Sequence, residues 1–161
     1  SKPAPALHFD STVPNDLRAV ATEAWDGFLA AHPARMDCID PINLSAAWEL
    51  DDRAEYRPGT STVVIRVPGT APNLINDLTH EFAHHVEFTC PEHHELRRAF
   101  LAAQGFPAAT PWRDGATWET PPSEQYAEAT VEAVLGRRTH HGGIHISDEA
   151  VAVVREWGSR S

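Results

Sequence analysis

Two histidines and a glutamate in the stretch His80-Glu81-Phe82-Ala83-His84 are the residues of this chain best suited to chemistry. Side chains four apart on an α-helix differ by about 40° around the axis and about 6 Å along it, so His80 and His84 face one way. Both imidazoles can then reach one ion, and a helical His pair of this spacing is the pattern of a zinc site. Glu81 stands one position on, offset from the ligand line yet close enough to reach a water on the metal, which is the place of a general base. The chemistry this predicts is hydrolysis by a metal-activated water, with Zn2+ as the cofactor.

Catalytic zinc takes three protein ligands and leaves a fourth position for water, so a third ligand must come from elsewhere in the chain. One completion of the motif needs a His six residues after His84 and a Gly three residues after it. Here those positions hold Cys90 and Glu87, which excludes that class and leaves thiolate coordination by Cys90 open. His93 and His94 would reach the ion only if the chain doubled back across Pro91. Asp114 is a further oxygen donor, although its neighbours Arg113 and Gly115 suggest a turn. The better candidates lie in Pro121-Pro122-Ser123-Glu124-Gln125-Tyr126-Ala127-Glu128, where Glu124 and Glu128 share one helical face. One carboxylate can ligate while the other steadies a ligand imidazole. The alternative is a solvated acidic face, which Glu132 would continue.

In these two segments, 80–84 and 123–128, the chain resembles the gluzincins. These are zinc peptidases in which HExxH is completed by a Glu on a later helix, thermolysin-like enzymes and the anthrax lethal factor catalytic domain among them. The resemblance implies that His80, His84 and Glu124 hold the metal and that Glu128 hydrogen-bonds a ligand His, fixing its ring. It implies a zincin-like fold and a peptide or protein substrate. From the strand at 62–67 it implies an edge on which an extended peptide pairs.

The family also places a Tyr or His beside the developing oxyanion. Tyr126 is roughly 200° around the helix from Glu124 and points to the core, and Tyr56 is far off in sequence. That leaves His141 and His145, in Thr139-His140-His141-Gly142-Gly143-Ile144-His145, as the candidates for catalytic contact. His85, about 100° off the ligand line, reads as a packing or supporting residue. Trp112 and Trp118 either wall a pocket or anchor their loop, and anchoring is the simpler reading. Two other functions stay open. One is a zinc amidase acting on cell-wall peptides; the other is a zinc-stabilised binding domain without turnover.

Positioning these residues requires a helix through 80–84, a second through 124–128 and a core to hold them. Apolar residues recur at helical spacing from Pro14 to Ala31, stopped by His32-Pro33. Residues 36–57 suit one or two strands, and Thr62–Val67 is a β-branched strand. The motif helix opens at Asn73, and another begins at Pro91 and ends by Gly105. Residues 106–122 form a proline-rich loop. A helix follows from Ser123 to Leu135, closed by Gly136, and a last one is capped by Ser147. This order predicts an α+β domain, with a small mixed sheet packed on the motif helix and further helices C-terminal to it. Residues 1–10 read as a flexible leader and 11–161 as a single domain, since 161 residues suffice for one core.

The formal charge of −10 excludes nucleic acid as a partner, because phosphate backbones are bound by clustered Lys and Arg. No apolar run approaches the roughly 20 residues of a membrane span, and a monomer is expected. Ser1-Lys2-Pro3-Ala4-Pro5 reads as a leader or as the remnant of a removed targeting segment. Cys38 and Cys90, outside any close-spaced metal pattern, read as one disulfide of an exported protein or as two buried thiols.

Overall fold

A computed structural model describes residues 2–115, 117, 120–139 and 143–160. The first helix, α1 (Asn15–Ala30), buries Leu17, Ala21, Ala24, Trp25, Phe28 and Leu29, one stripe at three- and four-residue spacing. Four strands follow the order β1-β2-β4-β3 across one mixed sheet. They are β1 (Leu7–Phe9), β2 (Ile42–Ala47), β3 (Ala54–Arg57) and β4 (Thr62–Arg66). β2 runs parallel to both β1 and β4, whereas β3 pairs antiparallel with β4. The helices after the sheet are α2 (Ala71–Thr89), α3 (His93–Ala103), α4 (Pro122–Leu135) and α5 (Asp148–Ser159). No described helix is long and apolar enough to cross a membrane.

α2, 19 residues long, is the hub: α1, α4 and strands β3 and β4 all pack against it. Its back is fixed by Phe82, fully buried with its ring edge-on to Trp25 at 4.8 Å and to Phe28 at 5.7 Å. It starts at Ala71 rather than Asn73, because Pro72 falls in the first turn, where the N–H it lacks has no helical partner to lose. α3 starts at His93 rather than Pro91; Pro91 and Glu92 form the turn that closes with His93 N–H donating to the Cys90 carbonyl at 3.0 Å. α4 ends at Gly136, whose φ of +78° is the left-handed conformation that side chains disfavour. Ser147 caps α5, its Oγ accepting from the Ala150 N–H at 3.0 Å.

Two expectations need correction. Residues 7–9 are a sheet strand and not part of a flexible leader, a signal too short to show in three residues of Leu7-His8-Phe9. The N-terminal segment is tethered further: Trp25 Nε1–H donates to the Pro5 carbonyl at 2.9 Å, and Asp10 accepts from the Thr12 and Ser45 hydroxyls. The strand at 62–67 is not an edge either. β4 is paired on both sides, and the edge beside α2 is β3.

Cys38 and Cys90 form a disulfide that ties the segment after α1 to the C-terminal end of α2. It closes a loop with a sequence separation of 52. In the chain-entropy account, a loop of that size stabilises the folded state by about 4 kcal/mol. The Cys38→Ser/Cys90→Ser variant is therefore expected to lose stability of that order in urea unfolding, with an m-value that rises as the unfolded chain expands. A loss under about 0.5 kcal/mol would show that the bond constrains little.

Candidate metal centre

His80 and His84 leave α2 on one face, and Glu124 enters from the first turn of α4. The three side chains converge. His84 Nε2 lies 3.3 Å from His80 Nε2, while Glu124 Oε2 is 3.1 Å from His80 Nε2 and Glu124 Oε1 is 3.0 Å from His84 Nε2. Donors bonded to one ion at about 2.0–2.1 Å with tetrahedral angles stand about 3.3 Å apart, so the triangle has the size a metal requires.

The outer nitrogens are also held. His80 Nδ1–H donates to Glu128 Oε2 at 2.9 Å, and Glu128 is in turn held by Arg138 at 3.4 Å. His84 Nδ1–H donates to Glu87 Oε1 at 3.2 Å. The Glu87 side chain, 0% exposed, also accepts from Ser123 Oγ–H and Arg113 Nε–H, each at 2.7 Å. Each imidazole thus has its Nδ1 proton fixed by a carboxylate and its Nε2 turned to the triangle, the orientation in which histidine ligates.

Without a cation the arrangement is costly. Both Nε2 atoms must carry protons to satisfy Glu124, which sets two N–H groups against each other at 3.3 Å. Burial would lower the histidine pKa values. The hydrogen bonds to Glu124 and Glu128 override it and hold His80 well above the ordinary range, and those to Glu124 and Glu87 lift His84 to about 9. A divalent ion in the triangle replaces both Nε2 protons with no change in net charge. That is the physical fit of these residues to a metal.

Glu81 also lies close enough to join His80 and His84 in holding an ion. The two carboxylates differ in what surrounds them. Glu124 is partly buried, yet its contacts with His80 and His84 drive its pKa far below the usual carboxylate range, which suits a ligand. Burial instead raises Glu81, and its buried Oε2 meets no partner among the described residues. The two carboxylates of the site are thus pushed in opposite directions. The other metal-capable group among the described residues, Cys38, Cys90 and Glu92, is spent elsewhere. Its sulfurs are bonded to each other, and Glu92 pairs with Arg35 at 2.5 Å. The disulfide also closes the thiolate option for Cys90.

A cleft of about 840 Å³ opens onto His80, Glu81, His84 and Glu124, walled by β3 and the segment before it. Its size lies within the range of ligand-binding clefts, roughly 300–1,000 Å³. Tyr56, set aside on sequence distance, stands on this wall. Its hydroxyl donates to His85 Nδ1 at 2.9 Å, because His85 Nε2–H is given to the Asp40 carbonyl at 2.8 Å. His85 therefore supports the wall, as its angle on the helix implied. His145 is exposed on the loop before α5, its carbonyl accepting from Gln104 at 3.0 Å, and does not border the cleft. His141 and Trp118 lie outside the described residues.

His93 is buried against Tyr126 and Trp112 in the core, His94 borders a separate groove, and Asp114 is exposed. Trp112 and Tyr126 are core anchors. Glu87, Arg113 and Arg138 carry the supporting shell and were not singled out from the sequence. Glu87 had a signal, since it lies three residues after His84 on the same helical face. The two arginines had none, because Arg113 reaches Glu87 across 26 residues and Arg138 reaches back to Glu128 only through the turn after α4. No protein-family model, curated protein or solved structure matches the chain, so the assignment of the site rests on its own atoms.

The raised histidines give the metal-free protein a pH signature. A histidine favoured in its charged form stabilises the fold fully below about pH 6.5, and that stability is lost as pH rises through the folded value. For His84 that value is about 9. Tm of the metal-free protein is thus expected to fall between pH 6.5 and 9. Divalent metal uptake at pH 7 should release protons, read as a buffer-dependent heat in titration calorimetry, and affinity should weaken as pH falls. Glu128→Gln is expected to weaken metal binding by roughly tenfold or more. Uptake without proton release, or a Tm indifferent to metal, would contradict the assignment.

Proposed function

We propose that the chain is a zinc-dependent metallopeptidase of the gluzincin type, with a zincin-like arrangement of sheet, motif helix and Glu-bearing helix. The observation that carries this reading is the Glu124 carboxylate, one oxygen 3.1 Å from His80 Nε2 and the other 3.0 Å from His84 Nε2, on a helix separate from the HExxH helix. His80, His84 and Glu124 hold the ion, while Glu128 and Glu87 keep the two rings in register. Zinc bound by two histidines and a carboxylate supplies a Lewis acid that acidifies water and polarises a carbonyl.

The remaining steps belong to Glu81. Its unpartnered Oε2 accepts a proton from the attacking water as the oxygen adds to the scissile carbonyl, then returns that proton to the leaving nitrogen as the C–N bond breaks. Burial raises its pKa toward the working pH, which improves a base that must also release its proton. The free edge of β3 borders the cleft and offers main-chain donors and acceptors to an extended peptide. The Cys38–Cys90 disulfide supports an exported protein, since such bonds persist in oxidising compartments.

Glu81→Gln tests the reading. The variant is expected to keep its metal content and to lose about 10²–10⁴-fold in kcat on a fluorogenic peptide library. A metal-loaded Glu81→Gln protein as active as the wild type would remove the general base from the account.

A further inference from the structure

Beyond the metal centre, the cleft carries an unspent cation on an aromatic floor. Phe88 lies four residues after His84 on the same face of α2, one helical turn further along the cleft. It is 44% exposed, and only Trp48 among the described large apolar side chains is more open. Tyr56 packs beside it with ring centroids 5.9 Å apart. Arg113 covers it, the guanidinium carbon standing 4.1 Å from the ring centroid.

Arg113 is aimed rather than loose. Its Nε–H is held by the fully buried Glu87 carboxylate at 2.7 Å, and the ring beneath fixes the plane of the guanidinium. Its two Nη groups donate to no acceptor among the described residues, and the side chain is 45% exposed toward the cleft it lines. Glu87 does not neutralise it fully, because that carboxylate is shared with His84 Nδ1–H and Ser123 Oγ–H. A guanidinium with a fixed plane and two free N–H pairs matches a carboxylate in the bidentate fashion. The contrast with the other cleft arginines is direct. Arg66 gives its Nη1 to the carbonyls of Leu50 and Asp51, and Arg53 is exposed without a side-chain anchor among the described residues. Asp51, Asp52, Glu55 and Asp77 also line the cleft and would repel an acidic group placed beside them.

The geometry points to Arg113, stacked on Phe88 and held by Glu87, as a specificity subsite that selects a substrate residue carrying a carboxylate near the scissile bond. This rests on reading the cleft as a peptide-hydrolysing site. The carboxylate can belong to an acidic side chain or to the C-terminus of the substrate.

The test uses the zinc-loaded protein and acetylated alanine-based hexapeptides. One arm places a single Glu or Gln at each position of C-terminally amidated peptides; another leaves the C-terminus free with neutral side chains. The wild type is expected to prefer the carboxylate peptide by about 10-fold or more in kcat/KM at one position, as a charge-assisted pair implies. Arg113→Ala should bring that ratio near one; because Arg113 also holds Glu87, the rates on both peptides can fall together, and the Glu-to-Gln ratio within each variant is the readout. Arg113→Lys should restore the ratio only in part. A preference confined to free C-termini assigns the chain terminus as the source. Binding of the same peptides to zinc-loaded Glu81→Gln, followed by titration calorimetry, separates the two levels. Arg113-dependent selection without any cleavage sustains the subsite and overturns the peptidase reading. Cleavage without carboxylate preference, a preference surviving Arg113→Ala, or one abolished by Arg53→Ala instead overturns the subsite. Absence of both binding and cleavage overturns both.

Discussion

His80 Nε2 and His84 Nε2 are held 3.3 Å apart on the face of α2 that borders the cleft, and if both carry protons toward Glu124, neither can satisfy the other. Glu124 bridges them from a second helix, which brings a carboxylate into the same space. Such an arrangement is expensive to bury without an ion. The rest of the molecule is organised to hold it: Glu128 and Glu87 lock the outer ring nitrogens, and Arg138 and Arg113 lock those carboxylates.

That requirement explains the place of α2. A helix that displays charged groups on one face must be secured by the others, and Leu78, Phe82 and Val86 do this from the core. Trp25 and Phe28 of α1 close on Phe82, while α4 packs alongside and carries Glu124 and Glu128 into position. The disulfide at Cys90 pins the end of α2 one residue beyond its last turn. The sheet completes the cleft by presenting β3, and Tyr56 on it, across from the metal-capable face.

What could be read from the chain alone was whatever local spacing encodes. His80 with His84, and Glu124 with Glu128, are pairs four apart on helices whose stops, Gly136 for one, are written beside them. The cysteine pair was readable only as a disulfide or two buried thiols, and it is the fold that brings Cys38 to Cys90 as a bond. The sheet order was not. That β3 and not β4 forms the edge depends on pairings between segments with no local mark, and β1 is only three residues long. The supporting shell was hidden for the same reason. Arg113 meets Glu87 across 26 residues, and Arg138 meets Glu128 only because the chain turns back after α4.

The most direct test of the account is a crystal of the protein grown with zinc and measured on both sides of the zinc absorption edge. One anomalous peak is expected within about 2.2 Å of His80 Nε2, His84 Nε2 and a Glu124 oxygen, with Glu81 beyond bonding distance. A peak ligated by Glu81 in place of Glu124, or no peak between the two histidines, would contradict it.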